Sequence, residues 1–177
     1  MAKENSVAAV ILAAGEGTRM KSSLPKVLHA LAGRSMIGHV LAAVDTLQPE
    51  RRVVVIGAKM EAVAKAVAPV ATAVQNPPRG TADAVAAARA ELKGFTGDVL
   101  VLYGDTPLIT PATLRAMLDA RRGVGDPAVV VLGFRPADPG AYGRLIVGTD
   151  GALERIVEFK DANAAERAVG LDRKSVV

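Results

Sequence analysis

Short apolar runs alternate with segments of helical periodicity along this chain, and that alternation restricts its fold more than any other feature. Val7 to Ala13 is an unbroken apolar run that leads directly into Gly15-Glu16-Gly17-Thr18-Arg19. A run without polar interruption suits a strand covered on both faces. Arg52 to Ile56 (stopped by Gly57), Val99 to Tyr103 and Ala128 to Phe134 read as further strands, and Val70 to Val74 as a short one before the turn Asn76-Pro77-Pro78. Helical segments lie between them. Ser35 can cap a helix with Met36, Val40, Ala43, Val44 and Leu47 on one face. Glu61 to Ala68 and the Ala-rich Thr81 to Glu91 follow. Thr110 caps a helix with Pro111 at its first position and Leu114, Met117 and Leu118 along one side. Leu145 to Val147 and Leu153 to Val157 flank Asp150-Gly151, a hairpin signal.

The expected class is α/β, a three-layer arrangement with a mainly parallel sheet and the hairpin as a late addition. Residues 1–170 read as one domain and 171–177 as an atypical tail. In such sheets ligands sit beyond the carboxyl ends of the strands, which places the chemistry just after Ala13, Val74 and Tyr103. Composition narrows the classes of chemistry. Aromatics make up only 3% of the residues, too few for the stacking platforms of a single-stranded nucleic-acid binder. The net charge of +4 is scattered and fits a phosphorylated small substrate as well as it fits nucleic acid. There is no cysteine, and the two histidines, His29 and His39, have no partners at ligand spacing. Disulfides, thiolate zinc sites and a histidine relay are thereby disfavoured, leaving Lys, Arg, Asp, Glu, backbone amides and a hard metal ion. Val7 to Ala14 imitates the core of a signal peptide, but Glu4 offsets Lys3 and the run is only eight residues long. Nothing approaches transmembrane length, so a cytoplasmic protein without a membrane partner is expected.

Four segments could carry chemistry. In Leu12-Ala13-Ala14-Gly15-Glu16-Gly17-Thr18-Arg19, two glycines let backbone amides approach phosphate oxygens, and Arg19 and Lys26 add positive charge. The Gly-Lys-Ser/Thr ending of a P-loop and the third glycine of a dinucleotide fingerprint are both missing. An ordinary strand-to-helix turn explains the glycines alone equally well. Gln75 stands at a strand end, and its amide offers a donor and an acceptor to a pyrimidine edge. Gly80 and Thr81 open the next helix, where a simple turn and cap would also account for them. Tyr103-Gly104-Asp105 puts a carboxylate at the tip of a buried strand, a place for Mg²⁺ near a triphosphate, or else for a turn-forming Asp before Pro107. Tyr142-Gly143-Arg144 and Glu158-Phe159-Lys160-Asp161 could meet sugar hydroxyls through Glu158, although a solvated charge run explains them as simply.

In this order the pieces resemble the N-terminal pyrophosphorylase domain of the bacterial bifunctional N-acetylglucosamine-1-phosphate uridyltransferases/glucosamine-1-phosphate acetyltransferases. The resemblance rests on LAAGEGTRMKSSLPKVLHALAGR from Leu12 to Arg34, then Gln75, Gly80-Thr81, Tyr103-Gly104-Asp105-Thr106-Pro107-Leu108, Tyr142-Gly143-Arg144 and Ile156-Val157-Glu158, and it covers Val7 to about Gly170. It implies a Rossmann-like nucleotide-diphospho-sugar transferase fold. It also implies transfer of UMP from UTP to N-acetylglucosamine 1-phosphate, with Mg²⁺ as cofactor, on the way to cell-wall peptidoglycan. Ala13, Ala14, Gly15, Gln75 and Gly80 would bind the uracil side, with Leu12 and Gly104 also in the substrate set. Arg19 and Lys26 would be the catalytic cations, Asp105 would bind the metal, and Thr81, Tyr103, Gly143 and Glu158 would line the uridine-sugar product site. No nucleic acid is implied, and the oligomeric state is left open, a homo-oligomer included.

Two departures from that family stand out. Asp83 occupies a position where histidine is common, and beyond Gly170 the chain reads Leu-Asp-Arg-Lys-Ser-Val-Val, where the family has an Asn-containing strand that touches the sugar. The domain is therefore expected to be incomplete at its C-terminal end, with a sheet edge left open and turnover impaired. The other readings are a nucleotidyltransferase for a different sugar phosphate or base, and a nucleotide-binding fragment without turnover.

Overall fold

The computed structural model describes residues 6–15, 17, 20–138 and 140–176, with the backbone path alone for 172–176. The chain divides into two compact units, Met1–Ala120 and Arg121–Val177. The first holds β1 (Val7–Leu12), β2 (Ala30–Leu31), β3 (Arg34–Ser35), α1 (Met36–Asp45), β4 (Arg51–Gly57), α2 (Glu61–Val67), β5 (Ala71–Gln75), α3 (Thr81–Ala87) and β6 (Asp98–Tyr103). Helix α4 (Pro111–Arg121) closes it.

Four of these strands form one parallel sheet in the order β5-β4-β1-β6. The chain builds outward from β1 through β4 to β5, then returns to the other side of β1 to lay down β6. The strand order therefore reverses beside β1, and a crevice opens there at the carboxyl ends. Residues paired across the sheet share a face. Val10, Leu12, Val53, Val55 and Ala73 pack on Ala84 and Ala88 of the α3 segment. The alternate set, including Ile11, Val54, Leu100 and Leu102, is just as buried on the opposite face. This two-sided burial is what the uninterrupted apolar runs require.

The helices start where their capping residues allow. The Ser35 hydroxyl accepts from the Gly38 amide at 3.2 Å, and α1 buries Ile37, Val40, Ala43 and Val44. Thr110 accepts from the Thr113 amide at 3.1 Å and starts α4, which buries Leu114, Met117 and Leu118. Among the described residues no helix is long and apolar enough to cross a membrane.

The second unit contains β7 (Val131–Phe134), β8 (Arg144–Val147), β9 (Leu153–Val157), α5 (Ala164–Arg167) and β10 (Asp172–Val176). Its sheet is antiparallel, in the order β7-β10-β8-β9. Two expectations change here. The strand over Ala128 to Phe134 begins only at Val131 and joins this antiparallel sheet together with the Asp150-Gly151 hairpin, not the parallel one. The segment after Gly170, expected to leave an open edge, supplies β10, which runs between β7 and β8.

Candidate active site

Beyond the carboxyl ends of the parallel strands the first unit encloses a cavity of about 610 Å³. Its floor is the end of β1 and the loop that follows: Leu12, Ala13, Ala14, Gly15 and Gly17. Backbone bonds fix that floor, since Ala13 N–H donates to the Val55 carbonyl at 2.7 Å and Gly104 N–H to the Leu12 carbonyl at 2.9 Å. Gly104 does not line the cavity, but a Cβ there would lie 3.3 Å from the Leu12 carbonyl oxygen and 3.3 Å from a Val27 methyl. The position therefore holds β6 tightly against β1.

Gly17 shapes the loop for two reasons. Its φ of +62° falls in the left-handed region that favours glycine, and a Cβ there would stand 2.7 Å from the Lys26 Cβ. The loop can pass over Lys26 only without that side chain. Lys26 opens a short 3-10 helix, Lys26–Leu28, anchored by the buried Val27. Arg19, expected to work beside Lys26, lies outside the described residues, as do Glu16 and Thr18.

Lys26 Nζ reaches Asp105 Oδ2 at 2.6 Å, with the two side chains 39% and 33% exposed. The turn after β6 is closed by Thr106, whose hydroxyl donates to the Tyr103 carbonyl at 2.7 Å. The Asp105 side chain thus makes no bond within that turn, and its Oδ1 has no bond among the described residues. Tyr103 lines the cavity beside Asp105.

At the other side Gln75 ends β5 and is 6% exposed. Its amide nitrogen donates to the Gly80 carbonyl at 3.0 Å and to Asp83 Oδ2 at 2.9 Å. Gly80 holds φ +108°, and Thr81 starts α3. Gln75, Gly80 and Thr81 all line the cavity. The single parallel sheet thus brings together Leu12, Ala13, Ala14, Gly15, Lys26, Gln75, Gly80, Thr81, Tyr103 and Asp105. Pro78 and Ala84 also line it and were not anticipated, because apolar lining residues carry no chemical signal in a sequence.

Gly143 and Glu158 belong to the second unit, where the pairing of Arg144 with Val157 sets them opposite one another. A Cβ on Gly143 would lie 3.4 Å from Glu158 Oε2. Arg144, 1% exposed, organises this corner by donating to the carbonyls of Tyr142 at 2.6 Å, Gly140 at 3.2 Å and Arg167 at 3.3 Å. Its guanidinium also stacks over Phe159 at 5.5 Å. His39 is structural, bonding the Leu31 carbonyl at 2.7 Å.

A parallel sheet whose strand order reverses beside its first strand, with a cleft floored by the β1 loop and a lysine–carboxylate pair at that edge, is the architecture of a Rossmann-like α/β domain with its ligand site at the switch point. The chain belongs to the MobA-like NTP transferase domain family, matched over residues 9–170. It is 62% identical over 170 residues to the bifunctional protein GlmU of Rhodospirillum rubrum, covering 96% of this chain and 38% of that protein. It is 60% identical over 163 residues to the bifunctional protein GlmU of Paramagnetospirillum magneticum, covering 92% and 36%. The chain thus spans less than two-fifths of these relatives. A solved UDP-glucose pyrophosphorylase, complexed with UDP-glucose, shares the fold with a TM-score of 0.75 at 14% identity, over 97% of this chain and 75% of that one.

Proposed function

We propose that this chain binds UTP and transfers its uridylyl group to N-acetylglucosamine 1-phosphate, a cytoplasmic reaction that yields UDP-N-acetylglucosamine and pyrophosphate. One observation carries the reading. Gln75 ends one outer strand of a four-stranded parallel sheet and Asp105 follows the other, yet both line one cavity. Three strand spacings separate them, about 14 Å along the edge. That is a suitable span for a nucleotide with its base at Gln75 and its phosphates at Lys26 and Asp105. The β1 loop lies between.

In the transfer an oxygen of the sugar phosphate attacks the α-phosphorus in line, the bond from that phosphorus to the β-phosphate bridge breaks, and pyrophosphate leaves. Lys26 would turn from Asp105 to phosphate oxygens. An ion pair this exposed contributes only about 0–1 kcal/mol, so the exchange costs little. Arg19 is assigned the same duty. Gly143 and Glu158 are assigned to the sugar. Positioning and charge neutralisation supply the acceleration, without a covalent intermediate.

Mg²⁺ is the cofactor this reading requires. Among the described residues no group of three or more His, Cys, Asp or Glu side chains converges. Asp105 would hold the ion through Oδ1, with the remaining ligands drawn from phosphate and water, the mode Mg²⁺ favours. Bound there, the ion would offset charge on the phosphates.

The test is pyrophosphate release from UTP with N-acetylglucosamine 1-phosphate and Mg²⁺, with dTTP and glucose 1-phosphate as competing pairs. Release that requires both named substrates supports the proposal. Binding of UTP without release leaves a nucleotide-binding module, and preference for another pair moves the chain to another sugar-phosphate nucleotidyltransferase.

A further inference from the structure

We infer that Asp83 is a specificity-determining residue that acts through Gln75: it holds the amide so that only the carbonyl oxygen faces the cavity, which selects a pyrimidine carrying a ring N–H. The inference rests on the proposed reading of the cavity as a pyrimidine-nucleotide site. An amide carries both donors and acceptors, and an unrestrained glutamine can turn either end to a ligand. Gln75 is restrained. Its nitrogen lies 3.0 Å from the Gly80 carbonyl oxygen and 2.9 Å from Asp83 Oδ2. Both neighbours accept and neither donates. Turning the amide over would set Oε1 against two oxygens, one of them on a carboxylate, at a residue only 6% exposed.

The acceptors are themselves fixed. The Gly80 carbonyl also accepts from the Ala84 amide at 3.1 Å, and Asp83 sits in the first turn of α3. Asp83 is not among the cavity's lining residues, so it is a positioning residue rather than a contact. With the nitrogen occupied, Oε1 remains for the ligand. Uracil presents N3–H between two carbonyls and satisfies that oxygen. Cytosine in the same pose presents a bare N3, which would leave two acceptors facing each other, and its N4 amino group could reach Oε1 only if the base shifted out of that pose. Sites built around a hydrogen bond discriminate strongly against ligands that cannot make it.

The experiment is calorimetric binding of UTP and CTP, each with Mg²⁺, to the unsubstituted chain and to Asp83→Asn and Asp83→Ala. Asn keeps the shape but can donate to a turned amide; Ala removes the carboxylate. The unsubstituted chain should prefer UTP at least tenfold. Both variants should lose about tenfold of that preference, with UTP affinity falling while CTP affinity holds or rises. An acidic residue that only steadies the first helical turn would lower both affinities together. If the unsubstituted chain prefers UTP and both variants keep the ratio within twofold, the role of Asp83 is refuted and the site reading survives. If the unsubstituted chain shows no preference for UTP, the pyrimidine reading falls and this inference with it. Should Asp83→Ala not fold, the isosteric Asn variant decides alone.

Discussion

Lys26 carries its ammonium on a side chain that is 39% exposed and held by one carboxylate. Gly17 passes over its Cβ, and Val27 anchors the turn it starts, so the stem is fixed while the tip can change partner. Lys26→Ala should therefore weaken UTP binding by about 1.5–3 kcal/mol, the worth of a charge-assisted contact, and leave uridine binding nearly unchanged. Calorimetry with both ligands checks this, and an unaltered UTP affinity would return Lys26 to a purely local role. Asp105 makes a complementary case. Because Thr106 closes the turn, Asp105→Asn should barely move the melting temperature of the free protein. The part of UTP affinity that depends on Mg²⁺ should collapse in the same variant. A large loss of stability with the metal dependence intact would make Asp105 structural. The positions of Lys26, Gln75 and Asp105 were legible in the sequence because each follows from where a strand or loop ends. The Gln75 amide was not. The sequence permitted a donor and an acceptor at the ligand, and only the placement of Gly80 and Asp83 removes the donor.

The elements of the parallel sheet were readable because their runs are apolar on both faces, and a run of that kind has few other places to go. Helix α3 shows where local preference stops. The Ala-rich sequence favours helix to Glu91, yet the regular helix ends at Ala87 and tighter turns follow. Arg51 donates to the carbonyls of Glu91 and Lys93, each at 2.9 Å, and so engages carbonyls that a continued helix would use itself. No local pattern announces a guanidinium that arrives from forty residues earlier. The same holds for β10. Asp172–Val176 has no apolar alternation and becomes a strand through pairing with β7. Helix α5 depends on its capping box, in which the Asn163 side chain accepts from the Glu166 amide and Glu166 accepts from the Asn163 amide. The Arg155 guanidinium, at 2.6 Å, and then the Asn163 amide hold the Glu166 carboxyl below its ordinary value of 4.5. A carboxyl lowered on folding stabilises fully above its ordinary value, and that stabilisation is lost as the pH falls through the lowered folded value. Glu166→Gln should thus melt slightly below the unsubstituted protein at neutral pH. The gap should narrow as the pH drops below 4.5. Parallel melting curves across pH would mean that Glu166 contributes packing and not charge.

At the scale of the molecule, every residue lining the cavity falls between Leu12 and Asp105, in the parallel sheet, the loops at its carboxyl edge, the short helix at Lys26 and the start of α3. A ligand that fills the cavity touches the ends of β1, β5 and β6 together, so it can bind only when that sheet is assembled. Binding to the native state alone stabilises by about 2.7 kcal/mol at a hundred times Kd. For a domain of this size that corresponds to a rise in melting temperature of roughly 5–10 °C. UTP with Mg²⁺ should approach that shift. CTP and ATP at the same concentration should give less, since neither presents a ring N–H to Gln75 Oε1. Hydrogen exchange locates the effect. UTP should slow the amides of Ala13 to Gly15, Gly80 to Thr81 and Gly104 to Asp105, whereas pyrophosphate alone should protect the Gly104–Asp105 side and leave Gly80–Thr81 unchanged. Equal melting shifts for UTP, CTP and ATP, with protection confined to the Asp105 side, would mean that the cavity reads phosphate and that Gln75 does not read the base.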